Sequence, residues 1–267
     1  MDEKLKDSDK KDIVDEAGYS DILLITDFGR SGQGWLSYML CQMCGARYIE
    51  PYDFLNARNF TNSKRLKHLL KKIKQKTDSP ISLIVKSHSK KPPIKQNRLT
   101  NKIIRLTRDP RDVAVSARYL YRTLVSKGSF NPIAILKSLP FIGPLLTAIG
   151  WNKHSKNWSK EKNIYTVRYE DLNLDTYVSL SKILNFFSIC HTKEELNECI
   201  KMYSFNSLFK RLQGEEDKSF PEARKGVVGD SKKKLNFIEK CLVWLVVHKE
   251  AKKLGYKWDY SHLSSYS

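Results

Sequence analysis

An apolar run, Ile22-Leu23-Leu24-Ile25-Thr26, passes directly into Asp27-Phe28-Gly29-Arg30-Ser31-Gly32-Gln33-Gly34-Trp35, and then into Leu36, Met39, Leu40 and Met43 at helical spacing. A strand-length apolar segment, a glycine-rich turn and a 3.6-residue stripe, in that order, predict a strand, a loop and a helix N-terminus. Backbone N–H groups of such a loop converge on an anion, and the following helix adds unpaired N–H groups and the positive end of its dipole. Arg30 supplies a fixed charge there. The loop matches neither the Gly-x-x-x-x-Gly-Lys-[Ser/Thr] nor the Gly-x-Gly-x-x-Gly fingerprint, so by itself it does not name the anion.

The chain has 267 residues, enough to bury one substantial core, and a single α/β domain is expected. Lys and Arg number 48 against 29 Asp and Glu, a formal charge of +19. Such a surface attracts anions, whether nucleotides, acidic glycans, nucleic acid or anionic lipid. The lysine runs at 64–76, 90–95 and 232–234 read as solvated surface. Cys41, Cys44, Cys190, Cys199 and Cys241 form an odd set in a chain too large to need staples, which favours free thiols and a cytoplasmic setting. Cys41 and Cys44 read as one face of a helix. With no second pair or histidine at ligand spacing, no metal is expected. Residues 1–18 are expected to form a disordered charged arm, and 19–267 the folded domain. Met1 to Glu16 lacks the apolar core of a signal peptide. The longest apolar stretch, 133–149, is broken by Lys137, Pro140 and Pro144. It is too interrupted for a membrane-spanning helix and reads as a mobile apolar flap, which leaves peripheral membrane contact open.

Further along, Ala46 to Glu50 is short and β-like, and Asn62 to Lys76 reads as a basic helix burying Leu66, Leu69, Leu70 and Ile73. A second long strand, Ile81 to Val85, ends in Lys86-Ser87-His88-Ser89. A histidine just past a buried strand stands where open α/β sheets place ligands and catalytic groups, although a loop histidine bonded to its neighbours is the plainer reading. The strand Lys102 to Thr107 leads into Arg108-Asp109-Pro110-Arg111-Asp112, where Asp109 can cap a helix, Pro110 suits its first turn and Asp112 complements its dipole. Arg108 and Ser116 could close on one anion only if that helix runs back past the first loop. Trp151, His154 and Trp158 form a helical stripe that reads as core. A strand over 163–169 runs into Tyr169-Glu170-Asp171-Leu172, and helices are expected over 176–187 and 193–202. Alternating strands and helices predict a parallel sheet. Gly214 to Glu222 reads as a flexible loop, and Arg224-Lys225-Gly226 as a phosphate clamp or a basic surface turn. A last helix over 235–254 is expected to close the domain with Phe237, Cys241, Trp244, Leu245 and His248.

Taken together, these segments resemble the sulfotransferases that use 3′-phosphoadenosine 5′-phosphosulfate (PAPS), over about residues 22 to 258. Arg30-Ser31-Gly32-Gln33-Gly34-Trp35 is similar to the family's 5′-phosphosulfate loop, Lys86-Ser87-His88 to its Lys-[Ser/Thr]-His, and Arg108 with Ser116 to its 3′-phosphate motif. Tyr169 to Leu172 matches Tyr-Glu-Asp-Leu, and Arg224-Lys225-Gly226 the late Arg-Lys-Gly. Gln33-Gly34 stands where soluble members usually have Thr-Thr, losing a hydroxyl ligand, and Ser231 where many have Trp.

The resemblance implies a single-domain, three-layer α/β/α fold with a central parallel sheet and a P-loop-like strand-loop-helix. It further implies in-line sulfuryl transfer from PAPS to an acceptor hydroxyl or amine, releasing 3′-phosphoadenosine 5′-phosphate (PAP), without metal. His88 would be the base. Arg30 and Lys86 would stabilise the leaving phosphate, and Ser31, Gly32, Gln33 and Gly34 would cradle it. Trp35 and Phe205 would sandwich adenine, Tyr169 would be a further cofactor-binding residue, and Arg108, Ser116, Arg224, Lys225 and Gly226 would hold the 3′-phosphate. Two other readings stay open: a nucleotide or small-molecule kinase, which would want a P-loop Lys-Ser/Thr and a Mg²⁺ carboxylate, and a non-catalytic nucleotide- or nucleic-acid-binding protein, for which no specific motif is present. The acceptor, whether a small molecule, a glycan or a lipid, is not legible. Neither is the choice between monomer and homodimer.

Overall fold

A computed structural model describes residues 22–49, 79–89, 102–161, 164–216, 224–261 and 263. The charged arm, the 62–76 helix and the basic run 90–95 lie outside the described residues, as does most of the loop expected over 214–222. Five strands, β1 (Ile22–Thr26), β2 (Arg47–Ile49), β3 (Leu83–Ser87), β4 (Lys102–Thr107) and β5 (Ile164–Arg168), form one sheet in the order β2-β3-β1-β4-β5. Every pairing is parallel, with Thr26 beside Ser87 and Leu24 beside Ile103.

All five β1 residues are buried, because the sheet is covered on both faces. Alternate side chains go to opposite layers. Leu23 and Ile25 join a core with Leu36, Met39 and Leu40 of helix α1 (Gln33–Cys44). Ile22 and Leu24 pack with Leu83, Val85 and Trp158 on the other face. Each such side chain, fully buried, stabilises the fold by about 1.5–3 kcal/mol. Cys41 and Cys44 lie buried in α1 as two residues of that core, and burial pushes the Cys41 thiol well above its ordinary value.

Helix α2 (Pro110–Ser126) starts as its sequence predicts: Asp109 accepts the Arg111 amide at 2.9 Å, and Pro110 opens the first turn. The stretch expected to be a mobile flap is instead two helices, α3 (Pro132–Ser138) and α4 (Ile142–Trp158), bent 108° apart. Asn131 caps α3, and Pro140 lies between the two helices rather than inside one. Trp151, His154 and Trp158 face inward from α4. Short α5 (Tyr169–Leu174), α6 (Thr176–Phe186), α7 (Lys193–Met202) and α8 (Phe205–Phe209) follow β5. A single turn, α9 (Ser231–Lys234), precedes α10 (Phe237–Lys253).

The last helix does not bury the face expected of it. Val243, Val247 and Ala251 make its inner stripe, packed on Val113, Ala114, Ala148 and Trp151, while Phe237 and Leu245 are exposed. Asn236 decides the start through a capping box with Glu239, so the helix begins two residues later than expected. Among the described residues, no single helix is long and apolar enough to cross a membrane.

Candidate active site

Since β1 lies between β3 and β4, the chain leaves it towards one side of the sheet and later returns to the other. The crevice at the carboxyl ends of these strands is where open α/β sheets bind ligands. Asp27 follows β1, Lys86 and Ser87 end β3 with His88 next, Arg108 follows β4, and Tyr169 follows β5. A cavity of about 800 Å³ opens there. Of the residues expected from the resemblance to act in catalysis or to bind the donor, all but Ser31 line it.

Left-handed backbone at Gly29 (φ 103°), Arg30 (φ 66°) and Gly32 (φ 84°) turns the first loop sharply enough for α1 to start at Gln33. Gly32 has no alternative: a Cβ there would stand 2.7 Å from the Tyr169 ring. Arg30 Nε donates to Ser116 Oγ at 3.0 Å, and Arg108 Nη1 donates to the Arg30 carbonyl at 3.1 Å. Helix α2 therefore does run back past the loop, and Arg108 and Ser116 meet on Arg30. Arg108 also donates to the Val227 carbonyl at 2.7 Å, lies over the Tyr169 ring and pairs with Asp112 at 3.6 Å.

Two loop residues are used differently from the expectation. Gln33 turns its side chain inward, donating to the carbonyls of Ile25 and, at 3.1 Å, Ser87, which ties β1 to β3. Its carboxamide braces the sheet. Ser31 is buried off the cavity wall. Its amide donates to Asp27 Oδ2 at 3.3 Å and its hydroxyl to the Gly29 carbonyl at 3.5 Å.

His88 Nδ1 stands 2.5 Å from Asp27 Oδ1. Burial by itself would raise the Asp27 carboxyl, but His88, then Lys86 and His154, hold it below its ordinary value. Lys86 is buried beside this pair. Behind it His154, edge-on to Phe28, is pushed down to about 4 by burial, against the pull of Asp27, and is a neutral imidazole at neutral pH. Sequence reasoning gave Asp27 no role; the one signal for it was an acid at the end of the first buried strand.

On the far wall, Trp35 donates its indole N–H to the Tyr203 carbonyl at 2.9 Å and meets the Tyr169 ring edge-on. Tyr169 donates to the Gly226 carbonyl at 2.9 Å, and burial raises its phenol despite Arg108. Gly226 (φ 69°) lies so close to Phe205 that a Cβ would reach 2.7 Å from the ring. The clamp cations carry acids: Arg224 pairs with Asp230 and, at 3.4 Å, with Glu216, while Lys225 lies 3.5 Å from Glu216 and 3.7 Å from Asp230. Glu216 and Asp230 went unnoticed in the sequence because nothing local marks them as partners. Among the described residues, Nε of Arg108 and Nε of Arg224 are buried with no hydrogen-bond partner. Unsatisfied guanidinium donors, loop amides and two glycines on which no side chain fits make a wall suited to a multiply charged anion. Among the described residues, no group of three His, Cys, Asp or Glu is placed to hold a metal ion.

Fold and site together define a single α/β domain with an anion-binding cleft at the switch point of a parallel sheet. The sulfotransferase-domain family matches residues 19–243, and the chain belongs to that family. It is 28% identical over 234 residues to sulfotransferase 1E1 of Bos taurus, covering 81% of this chain and 78% of that one. It is 27% identical over 199 residues to human sulfotransferase 2A1, covering 70% and 66%. Its fold matches mouse sulfotransferase SULT7A1 complexed with PAP, with a TM-score of 0.64 at 21% identity over 92% of this chain and 90% of that one. Retinol dehydratase in complex with androsterone and PAP matches with a TM-score of 0.59 at 17% identity, over 92% and 85%.

Proposed function

We propose that this enzyme transfers a sulfuryl group from PAPS to the hydroxyl of a small-molecule acceptor, with His88 as general base. The observation that carries this reading is the convergence of four strand ends on one cavity, with Arg30, Lys86, His88 and Arg108 in its wall. The mouse structure of like fold is a complex with PAP, which supports the donor assignment. The donor supplies an activated sulfuryl group whose leaving group is a phosphate.

In that reading the loop amides at Gly32 to Trp35, together with Arg30 and Lys86, bind the 5′-phosphate and stabilise the charge that grows on its bridging oxygen. Arg108, Ser116, Arg224, Lys225 and the Gly226 amide hold the 3′-phosphate, and Trp35 and Phe205 flank the adenine. His88 Nε2 takes the acceptor's proton while Nδ1 stays against Asp27, which keeps the imidazole oriented. The acceptor oxygen forms a bond to sulfur as the bond from sulfur to the phosphate oxygen breaks, and the proton ends on His88. The apolar wall at Leu120, Leu124 and Phe209 favours an acceptor with a hydrophobic body. A cytoplasmic setting belongs to the same reading, supported by five cysteines of which none forms a disulfide and three are buried.

The test is a comparison of wild type with His88→Ala in PAP binding and in label transfer from PAPS to a panel of phenols and aliphatic alcohols. His88→Ala should bind PAP like wild type and lose on the order of a hundredfold in turnover. A wild type that binds no PAP would sink the donor assignment, and unchanged turnover in the variant would remove the base.

A further inference from the structure

We propose that the segment Phe130–Ile142, where α3 turns into α4, docks this protein on an anionic lipid bilayer. Phe130, Ile133, Ile135, Leu136, Leu139, Phe141 and Ile142 are all exposed there, Phe130 at 88% and Ile133 at 60%. So dense a run of large apolar side chains in water is unfavourable, and marks an interaction site.

The ridge is built rather than frayed. Asn131 caps α3, and Arg122 donates to the Ser138 carbonyl at 3.0 Å. Phe141 adopts φ 58°, a conformation that disfavours a bulky residue. Its amide donates to Glu239 Oε1 at 3.1 Å, and Glu239 is itself anchored by Arg118 at 2.5 Å. A non-glycine residue held left-handed by a buried ion pair presents its ring outward at a defined place.

Charge decides the occupant. From Val113 through Lys160 the chain carries no Asp or Glu and, besides Arg118 buried against Glu239, six cations. Lys127 lies three residues before Phe130, and Lys153 and Lys156 share a shallow concavity with exposed Ile149. A second copy of the chain meeting this face would set like charges against each other, at +19 per copy. An anionic headgroup layer is complementary to the cations, and its acyl boundary to the apolar ridge. The pair of helices lies on the surface instead of crossing it: α4 is bent 108° from α3 and buries Ala148, Trp151, His154 and Trp158 against the domain. Lys137 of this segment and Ser129 just before it line the cavity, so docking brings its wall next to the membrane.

The experiment is co-sedimentation of the full chain with phosphatidylcholine vesicles, with and without about a third phosphatidylserine, at low and physiological salt. The variants are Phe130→Ser/Ile133→Ser and Lys153→Ala/Lys156→Ala, with circular dichroism to confirm the fold. Wild type should partition onto the anionic vesicles roughly tenfold better than onto neutral ones, and the apolar pair of substitutions should remove about tenfold of that binding. The lysine pair should weaken it severalfold, more at low salt. No wild-type binding to anionic vesicles overturns the proposal, as does binding that the apolar substitutions leave unchanged. Self-association by light scattering that Phe130→Ser/Ile133→Ser abolishes would assign the ridge to a second copy and equally overturn it.

Discussion

Nδ1 of His88 lies 2.5 Å from Oδ1 of Asp27, a buried carboxylate 61 residues earlier in the chain. The carboxylate is held in turn by the Ser31 amide, so the first loop and the candidate base are mechanically one unit. If Asp27 orients the imidazole and stabilises its protonated form, Asp27→Asn should lower kcat on the order of tenfold or more. PAP affinity should be within twofold of wild type, so the loss should appear in turnover and not in donor binding. Asp27→Glu should recover part of the loss. A variant with full kcat would leave Asp27 a structural brace.

Arg108 touches Arg30, Val227, Asp112 and the Tyr169 ring, yet its buried Nε has no hydrogen-bond partner among the described residues. Arg108→Ala should weaken PAP binding by roughly ten- to a hundredfold, the range of one charged hydrogen-bonding group. Arg108→Lys should restore little, because a point charge cannot replace the planar fork. Calorimetric titration with PAP and with adenosine 5′-phosphate separates the 3′-phosphate from the rest. A loss equal for both ligands would move Arg108 away from the 3′-phosphate.

Glu216 stands between the two clamp cations, 3.4 Å from Arg224 and 3.5 Å from Lys225. A phosphate arriving at this pair competes with that carboxylate. Glu216→Gln should therefore tighten PAP binding by roughly twofold to fivefold, the scale of a partly exposed ion pair. The gain should shrink at high salt. Weaker binding in the variant would mean that Glu216 positions the cations instead of opposing the ligand.

Glu170 is buried, accepts the Asp109 amide at 2.8 Å and the Tyr256 hydroxyl at 3.1 Å, and burial raises it to about 7 from its ordinary 4.5. The folded protein thus holds this proton more tightly than the unfolded chain. The protonated group contributes its stability in full below about pH 4.5, and that contribution is lost as pH rises through about 7. The difference amounts to something on the order of 3 kcal/mol. Glu170→Gln keeps the acceptor for Asp109 without the charge. Urea denaturation should show the variant gaining on wild type between pH 5 and pH 8, whereas parallel curves would contradict the raised value.

Local features were legible because their causes lie within a few residues. The β1 run, the loop's glycines, and the Asp109-Pro110 helix start read directly as the elements found, and the residues expected to bind the donor or act in catalysis, Ser31 excepted, line one cavity. Less legible was β3, which begins and ends two residues later than the apolar run, carrying Lys86 and Ser87 into the sheet beside Ile25 and Thr26. Register with a neighbour moved that boundary, and no single strand carries such information. The apolar 133–149 stretch looked like a flap because its prolines break periodicity, yet each proline sits where a helix can begin or end.

Sequence by itself determined the fold class and the strand-loop-helix, which follow from periodicity, capping and steric rules acting along the chain, while the cations and aromatics expected at a phosphorylated ligand were picked out by the family resemblance. The tertiary structure alone decided that Asp27 belongs to His88, that Gln33 braces the sheet, that Glu216 and Asp230 oppose the clamp, and that α10 buries Val243 rather than Leu245. These are pairings between segments many residues apart. They are set by which strand ends the parallel sheet brings side by side and by which face of a helix the remaining core surface leaves room for.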